Sequence, residues 1–280
     1  ISILPMERSL IENPEGHFLM FATANGRIKK SKLSEYARIN RNGKFALKFA
    51  DGDSDNLVSV RPATDSDHVV LVSASGNACR FMPAEEKTRI SPETGESVTT
   101  YVVRVQGRIS QGVSGMKLSG NDKVIGMIVT DDFDTSVLTI SKYGMAKRSR
   151  LGSGEMLPLT EGGAPIVDES GDQIFERDGY RKTNRGTKGV RTMSLRDGDE
   201  IVGVRQIPDL DDQLFMLTGS GMMIRMVSGQ TKETLGKVTK GTRIMELRNR
   251  DRTGYEDEIV FVARLPSELI STGETLEEEE

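Results

Sequence analysis

Tryptophan is absent from the 280 residues, aromatic residues make up only 5% of them, and there are one cysteine and two histidines. Cys79 has no partner for an internal disulfide, and His17 and His68 are too few and too isolated to suggest a metal site. No apolar run approaches the ~20 residues that a bilayer span needs, and the start carries neither a basic region nor an apolar leader. These absences point to a protein of the reducing cytoplasm with no membrane contact and no metal. The first residue is Ile1, which reads as the start of a piece cut from something longer.

What the chain does have is glycine, 29 residues of it, set between short bursts of Val, Ile, Leu and Met. Asn, Asp and Ser accompany the glycines, which is the pattern of an all-β chain of short strands and tight turns. The formal net charge is −4, but it is unevenly distributed. From Arg27 to Lys48 eight basic residues face the single acid Glu35, whereas the C-terminus carries Glu274 and Glu277 to Glu280. A polyanion responds to such local patches rather than to the mean charge.

The chain repeats itself. FLMFATANG, VVLVSASG, VLTISKYG and LFMLTGSG end at Gly26, Gly76, Gly144 and Gly221. A hydroxyl residue stands three places before each glycine (Thr23, Ser73, Ser141, Thr218), and a basic one four places after it (Lys30, Arg80, Arg148, Arg225). A second element runs from Gly43 to Asp53, Gly112 to Asp122, Gly189 to Asp199 and Gly241 to Asp251. Its alternating apolar positions, Leu47, Met116, Met193 and Met245, then Phe49, Leu118, Leu195 and Leu247, read as the inward side of a strand. The step from each second glycine to the next first glycine is 33, 32 and 32 residues, whereas the intervening steps vary as 17, 36, 45 and 20. Insertions near 84–107 and 152–182 are therefore expected to form surface loops or extra hairpins.

A unit of about fifty residues with four strand signals fits a propeller blade, whose neighbours supply the apolar contacts that a lone four-stranded sheet lacks. At least four blades are visible. Ile3 to Met6 reads as the end of a strand, so the chain is expected to start inside a blade. Residues 1–265 should form the folded body, and 266–280 a disordered acidic tail.

The turn glycines have a plain role, closing hairpins at positive φ. The basic residues that follow them are expected at one height on successive blades, facing solvent as a positive belt for a curved polyanion. Other chemistry finds no support. Gly219-Ser220-Gly221 lacks the third glycine and the helix of a dinucleotide site, and Lys147 and Arg148 follow no phosphate-loop glycine pattern. The recurrent aspartates read as turn residues rather than as a catalytic set.

In these repeats the chain resembles the C-terminal domain of the bacterial DNA gyrase A protein. The stretches that carry the likeness are ILPM at Ile3, FLMFATANGRIKKSKLSEY at Phe18, NGKFALKFADGD at Asn42, QGVSGMKLSGNDKVIGMIV at Gln111, YGMAKRSRL at Tyr143 and NRGTKGVRTM at Asn184. The resemblance implies a β-pinwheel: a propeller-like disc whose blades exchange strands and whose basic rim bends double-stranded DNA. It implies a part in ATP-dependent negative supercoiling by an assembly of two gyrase A and two gyrase B proteins. ATP and Mg would bind elsewhere in that assembly, and the cleaving tyrosine would belong to the N-terminal part of gyrase A. Accordingly Tyr36, Tyr101, Tyr143, Tyr180 and Tyr255 follow Glu, Thr, Lys, Gly and Gly, never the arginine that precedes the cleaving tyrosine of such enzymes. The family's basic, glycine-rich QRRGGKG box does not occur here, which leaves the corresponding protein of topoisomerase IV, a decatenase, as the alternative.

The candidate phosphate contacts are Arg27, Lys29, Lys30, Lys32, Arg41, Lys44, Arg80, Lys147, Arg148, Arg150, Arg185, Lys188, Arg191, Arg225 and Arg243. They should position DNA without reading bases. Two rivals remain: a propeller that docks protein partners, and a propeller hydrolase, for which paired carboxylates or a metal cluster would be required.

Overall fold

The computed structural model describes residues 4, 6–39, 41–49, 54–91, 95–234, 239–248 and 254–269. Four antiparallel hairpins organise it: Phe18–Thr23 with Arg27–Lys32, His68–Ser73 with Asn77–Phe81, Ser136–Ser141 with Met145–Arg150, and Gln213–Thr218 with Met223–Val227. The hydroxyl of the repeat builds the turn. In each, the glycine N–H donates to the carbonyl of the residue three places earlier, and the next N–H donates to that residue's side-chain oxygen. These oxygens belong to Thr23, Ser73, Ser141 and Thr218, all buried, so each hydroxyl satisfies a backbone donor that water cannot reach.

A third strand pairs with the first strand of each hairpin: Leu57–Ala63, Val124–Thr130, Ile201–Ile207 and Ile259–Leu265. The register slips at one place in all four, where Thr23, Ser73, Ser141 and Thr218 meet Leu57, Val124, Ile201 and Ile259. Two residues before each third strand an aspartate clamps the turn. Asp55 accepts from Asn25 N, Asp122 from Ser75 N, Asp199 from Tyr143 N and Asp257 from Ser220 N. The sequence pattern named Asp53 and Asp251 instead. Both lie outside the described residues, and Asp55 and Asp257 fill the clamp because its place is fixed from the strand that follows, not from the glycine before.

The fourth strand comes from the next repeat. Val113–Ser114 pairs with Arg27–Ile28, Val190–Arg191 joins the sheet beside Asn77–Phe81, and Thr242–Arg243 pairs with Met145–Ala146. Strand exchange between successive blades is thus built into the fold. The second elements were expected as strands running from glycine to aspartate; only two residues of each pair as a strand, and the equivalent stretch after Gly43 pairs with nothing. Beyond the pairing, the N–H groups of Gly115 and Met116 both turn to Gly26 O, as those of Ile244 and Met245 turn to Gly144 O. Met116, Met193 and Met245 are buried as expected, without a continuous ladder.

The chain divides into two compact units, Ile1–Asp131 with Thr183–Val190, and Asp132–Lys182 with Arg191–Glu280. The first is filled by Met20, Ile28, Leu71, Cys79, Met116 and Met127, the second by Leu138, Ile140, Leu214, Met216, Met245 and Ile259. In each, two hairpin sheets supply the apolar surface that neither could bury alone. Leu4 and Met6 are not in a strand, contrary to expectation; they pack beside Leu19, Phe21 and Leu33, followed by a short helix, Arg8–Glu12. The insertions do form hairpins, Glu86–Ile90 with Ser97–Tyr101, and Met156–Pro158 with Phe175–Arg177.

Candidate nucleic-acid interface

The repeated basic residues do not face solvent in three of the four blades, and this corrects the expectation of a belt at that position. Lys30, Arg80 and Arg148 are 2%, 1% and 8% exposed. Each lies on a second hairpin strand and meets the residue that opens the first. Lys30 Nζ sits 3.9 Å above the Phe18 ring and 2.5 Å from Asp65. Arg80 Nε donates to His68 Nδ1 at 3.2 Å, which requires that nitrogen to be unprotonated. Arg148 donates to Ser136 Oγ at 3.1 Å, to Thr231 O at 3.0 Å and to Glu233 Oε2 at 2.7 Å. In the last blade Arg225 donates to Gln213 and lies beside Phe215, yet is exposed.

The cover over the first three comes from the next repeat. Val105 and Glu233 bridge in parallel to Lys30 and Arg148, and Thr183 N donates to Arg80 O at 2.7 Å. The buried cations therefore bind neighbouring segments to the hairpins. A signal for this was present in the sequence: Phe18, His68, Ser136 and Gln213 stand eight residues before the turn glycines, each able to receive a cation or a donor.

Lys29 and Lys147 are also internal. Lys29 Nζ donates to Ala46 O at 2.7 Å and Arg108 O at 2.5 Å, and Lys147 Nζ to Thr192 O at 2.6 Å. Loss of solvation lowers both ammonium groups to about 8, with Glu35 opposing and Arg108 assisting the shift at Lys29. In the second blade Cys79 takes this place, its Sγ 3.8 Å from Gly115 O.

The other candidates remain accessible. Lys32, Arg41, Arg150, Lys188, Arg191, Arg225 and Arg243 are exposed, and Arg27, Lys44 and Arg185 half-buried. Arg150 and Arg243 are partly neutralised by Asp134 and Glu246, each pair exposed and so weakly held. Arg27 and Arg185 are held by carbonyls, Gln111 O and Gly112 O for the first, Val102 O and Ser114 O for the second. Two pairs recur at one position: Lys188 and Arg191 flank Gly189 as Lys240 and Arg243 flank Gly241, all exposed. Lys240 was missed by the sequence pattern, which counted from the turn glycine instead of the crossing one. Among the described residues no group of acids, cysteines or histidines could hold a metal ion, and no helix is long and apolar enough to cross a membrane.

Antiparallel hairpin blades, each completed by a strand from the next repeat, define a propeller-like β protein of the strand-exchanged kind. The chain belongs to the DNA gyrase C-terminal domain, beta-propeller family, whose model matches residues 17–64, 97–131, 174–208 and 212–253, more than half of the chain. It is 31% identical to the DNA gyrase A protein of Rickettsia prowazekii (strain Madrid E) over 82% of this chain and 26% of that protein. To the corresponding protein of Staphylococcus epidermidis (strain ATCC 12228 / FDA PCI 1200) it is 30% identical, over 83% of this chain and 21% of that one. It thus spans about a quarter of the length of these relatives. The fold matches the solved C-terminal domain of DNA topoisomerase IV with a TM-score of 0.66 at 17% identity, covering 95% of this chain and 67% of that one. For the DNA gyrase A C-terminal domain the TM-score is 0.61 at 20% identity, with 90% and 67% covered.

Proposed function

We propose that the chain binds duplex DNA through phosphate contacts and bends it, as the C-terminal part of a gyrase A protein in the cytoplasm. The observation that carries this reading is the match to the family in every blade. The two exposed basic pairs at equivalent crossing glycines, Lys188 with Arg191 and Lys240 with Arg243, give it a physical site. Salt bridges to DNA phosphates release condensed counterions, so the exposed pairs, with Lys32, Arg41, Lys44, Arg150 and Arg225, would supply affinity without base readout. The buried Lys29, Lys30, Arg80, Lys147 and Arg148 would act only by holding the blades. Residues 1–265 would form the DNA-bending body. Supercoiling would need gyrase B, the N-terminal part of gyrase A, ATP and Mg, all outside this chain.

Titration of a labelled duplex across a salt series tests the proposal. The expected result is tight binding at low salt, a steep negative slope of log K on log salt, and little sequence preference. Absence of binding, or binding indifferent to salt, would refute it and favour a protein-docking module. The fold likeness to the topoisomerase IV domain keeps decatenation as a second reading, which holoenzyme supercoiling assays with this domain deleted or restored would separate.

A further inference from the structure

We infer that the last hairpin and the segment after Gly43 are a matching acceptor and donor, and that a second copy of this chain fills the one with the other. Three internal junctions define what an acceptor takes. The incoming segment opens on a glycine at positive φ, Gly112, Gly189 or Gly241, packed so closely on Ile28, Ala78 or Ala146 that no Cβ would fit. At the first junction Arg27 faces Ser114 and Ile28 faces Val113; at the third Met145 faces Arg243 and Ala146 faces Thr242. The N–H groups at the third and fourth places after the crossing glycine then turn to the carbonyl of the hairpin's turn glycine, and a large apolar side chain at the fourth is buried.

Both halves of a further junction stand open. Gly43 has the same conformation, φ +72 against +75, +73 and +74 at the occupied crossings, yet nothing lies within 4 Å of where its Cβ would be. Its segment is already shaped for docking, because Lys29 holds Ala46 O as Lys147 holds Thr192 O. Leu47 stands at the place of Met116, Met193 and Met245. At the other end, Gly221 has φ +89 and an equally open Cβ site, whereas the Cβ positions of Gly26 and Gly144 lie 2.6 and 2.5 Å from the carbonyls of Met116 and Met245.

The shared register places Phe45 opposite Met222 and Lys44 opposite Met223. Phe45 is 80% exposed, Met222 56% and Met223 66%, so the pairing would cover apolar surface that a single molecule leaves in water. At the first and third junctions the corresponding pairs, Arg27 with Ser114 and Met145 with Arg243, include a polar partner in each case. Donor and acceptor are different surfaces, so the contact is heterologous and repeats head to tail. It adds a strand to an open edge, as at the internal junctions.

Two single variants test this, Phe45→Cys and Met222→Cys, both at exposed positions where folding is insensitive. Facing residues of antiparallel strands bring their Cα atoms within disulfide range. An oxidised mixture of the two should give a two-chain species that neither variant gives alone, since Cys79 is buried. The unaltered chain should sediment above its 30.8 kDa monomer as concentration rises, and Phe45→Asp should return it to monomer. A monomer at every concentration overturns the inference. So does a double variant that closes only an internal disulfide at high dilution, which would assign the donor to the same chain.

Discussion

Lys30, Arg80, Arg148 and Arg225 occupy one sequence position, yet only the last is open to solvent, because the segment that covers the others has no counterpart over it. Burial changes what each substitution does. Replacing Arg148 by Met removes donors to Ser136, Thr231 and Glu233 and leaves acceptors without partners, at a cost of about 2–4 kcal/mol. Arg225→Met should cost under about 0.5 kcal/mol, as for most surface changes. Thermal unfolding of the two variants measures the contrast, and equal losses would contradict the assigned burial. The two lysines lowered to about 8 add a pH dependence. Between about 8 and the ordinary 10.5 the unfolded chain holds protons that the folded chain has released, so stability rises with pH across that window. Below about 8 both ammonium groups are charged in either state and the burial cost is carried in full. Lys29→Met with Lys147→Met should flatten the rise, by on the order of 2 kcal/mol per site. Denaturant midpoints of variant and parent from pH 7 to 10 compare them directly.

At the scale of the element, hairpins, turn hydroxyls and the third strands were legible because each depends on neighbours close in sequence: a glycine at positive φ, an oxygen three residues before it, alternating apolar residues. The fourth strands were not, since Val113–Ser114 owes its pairing to a hairpin more than eighty residues away and is only two residues long. The same distance hid the burial of Lys30, Arg80 and Arg148, and with it the failure of a basic belt at that position; the exposed basic pairs follow the crossing glycines, which the pattern had treated only as strand starts. Gly26 shows how much a crossing adds to a turn. Alanine there meets backbone strain at φ +79 and a Cβ 2.6 Å from Met116 O, so Gly26→Ala should cost about 3 kcal/mol or more. Gly221→Ala meets the strain alone, with open space around it, and should cost about 1 kcal/mol. Chemical denaturation separates the two values. Equal costs would mean that turn conformation alone, and not the crossing strand, demands the glycine.

At the scale of the whole molecule the net charge of −4 conceals a basic set on the crossing segments and an acidic C-terminus. The expected tail began at 266, but Ser267 is fastened: its N–H donates to Asp212 at 3.0 Å and its hydroxyl to Asp209 at 2.8 Å. Residues 270–280, where the expectation of disorder falls, lie outside the described residues; they carry Glu274 and Glu277 to Glu280 and no basic residue. A polyanion tethered to a body with exposed lysines and arginines competes with DNA for them, at an effective concentration set by the tether rather than by dilution. Truncation after Leu269 keeps the Ser267 contacts and removes the competitor. Duplex affinity should then rise most at low ionic strength and converge with the parent at high salt, where tail and DNA are screened alike. Reversal of Lys188, Arg191, Lys240 and Arg243 to Glu should weaken binding and make the salt slope shallower by up to about 3–4, each lost phosphate contact being worth about 0.9. Combining truncation and reversal separates competition from solubility. If the tail works by occupying those cations, its removal should raise affinity much less in the reversed background than in the parent. An equal rise in both backgrounds would place its effect elsewhere, and no rise in either would leave it no part in DNA binding.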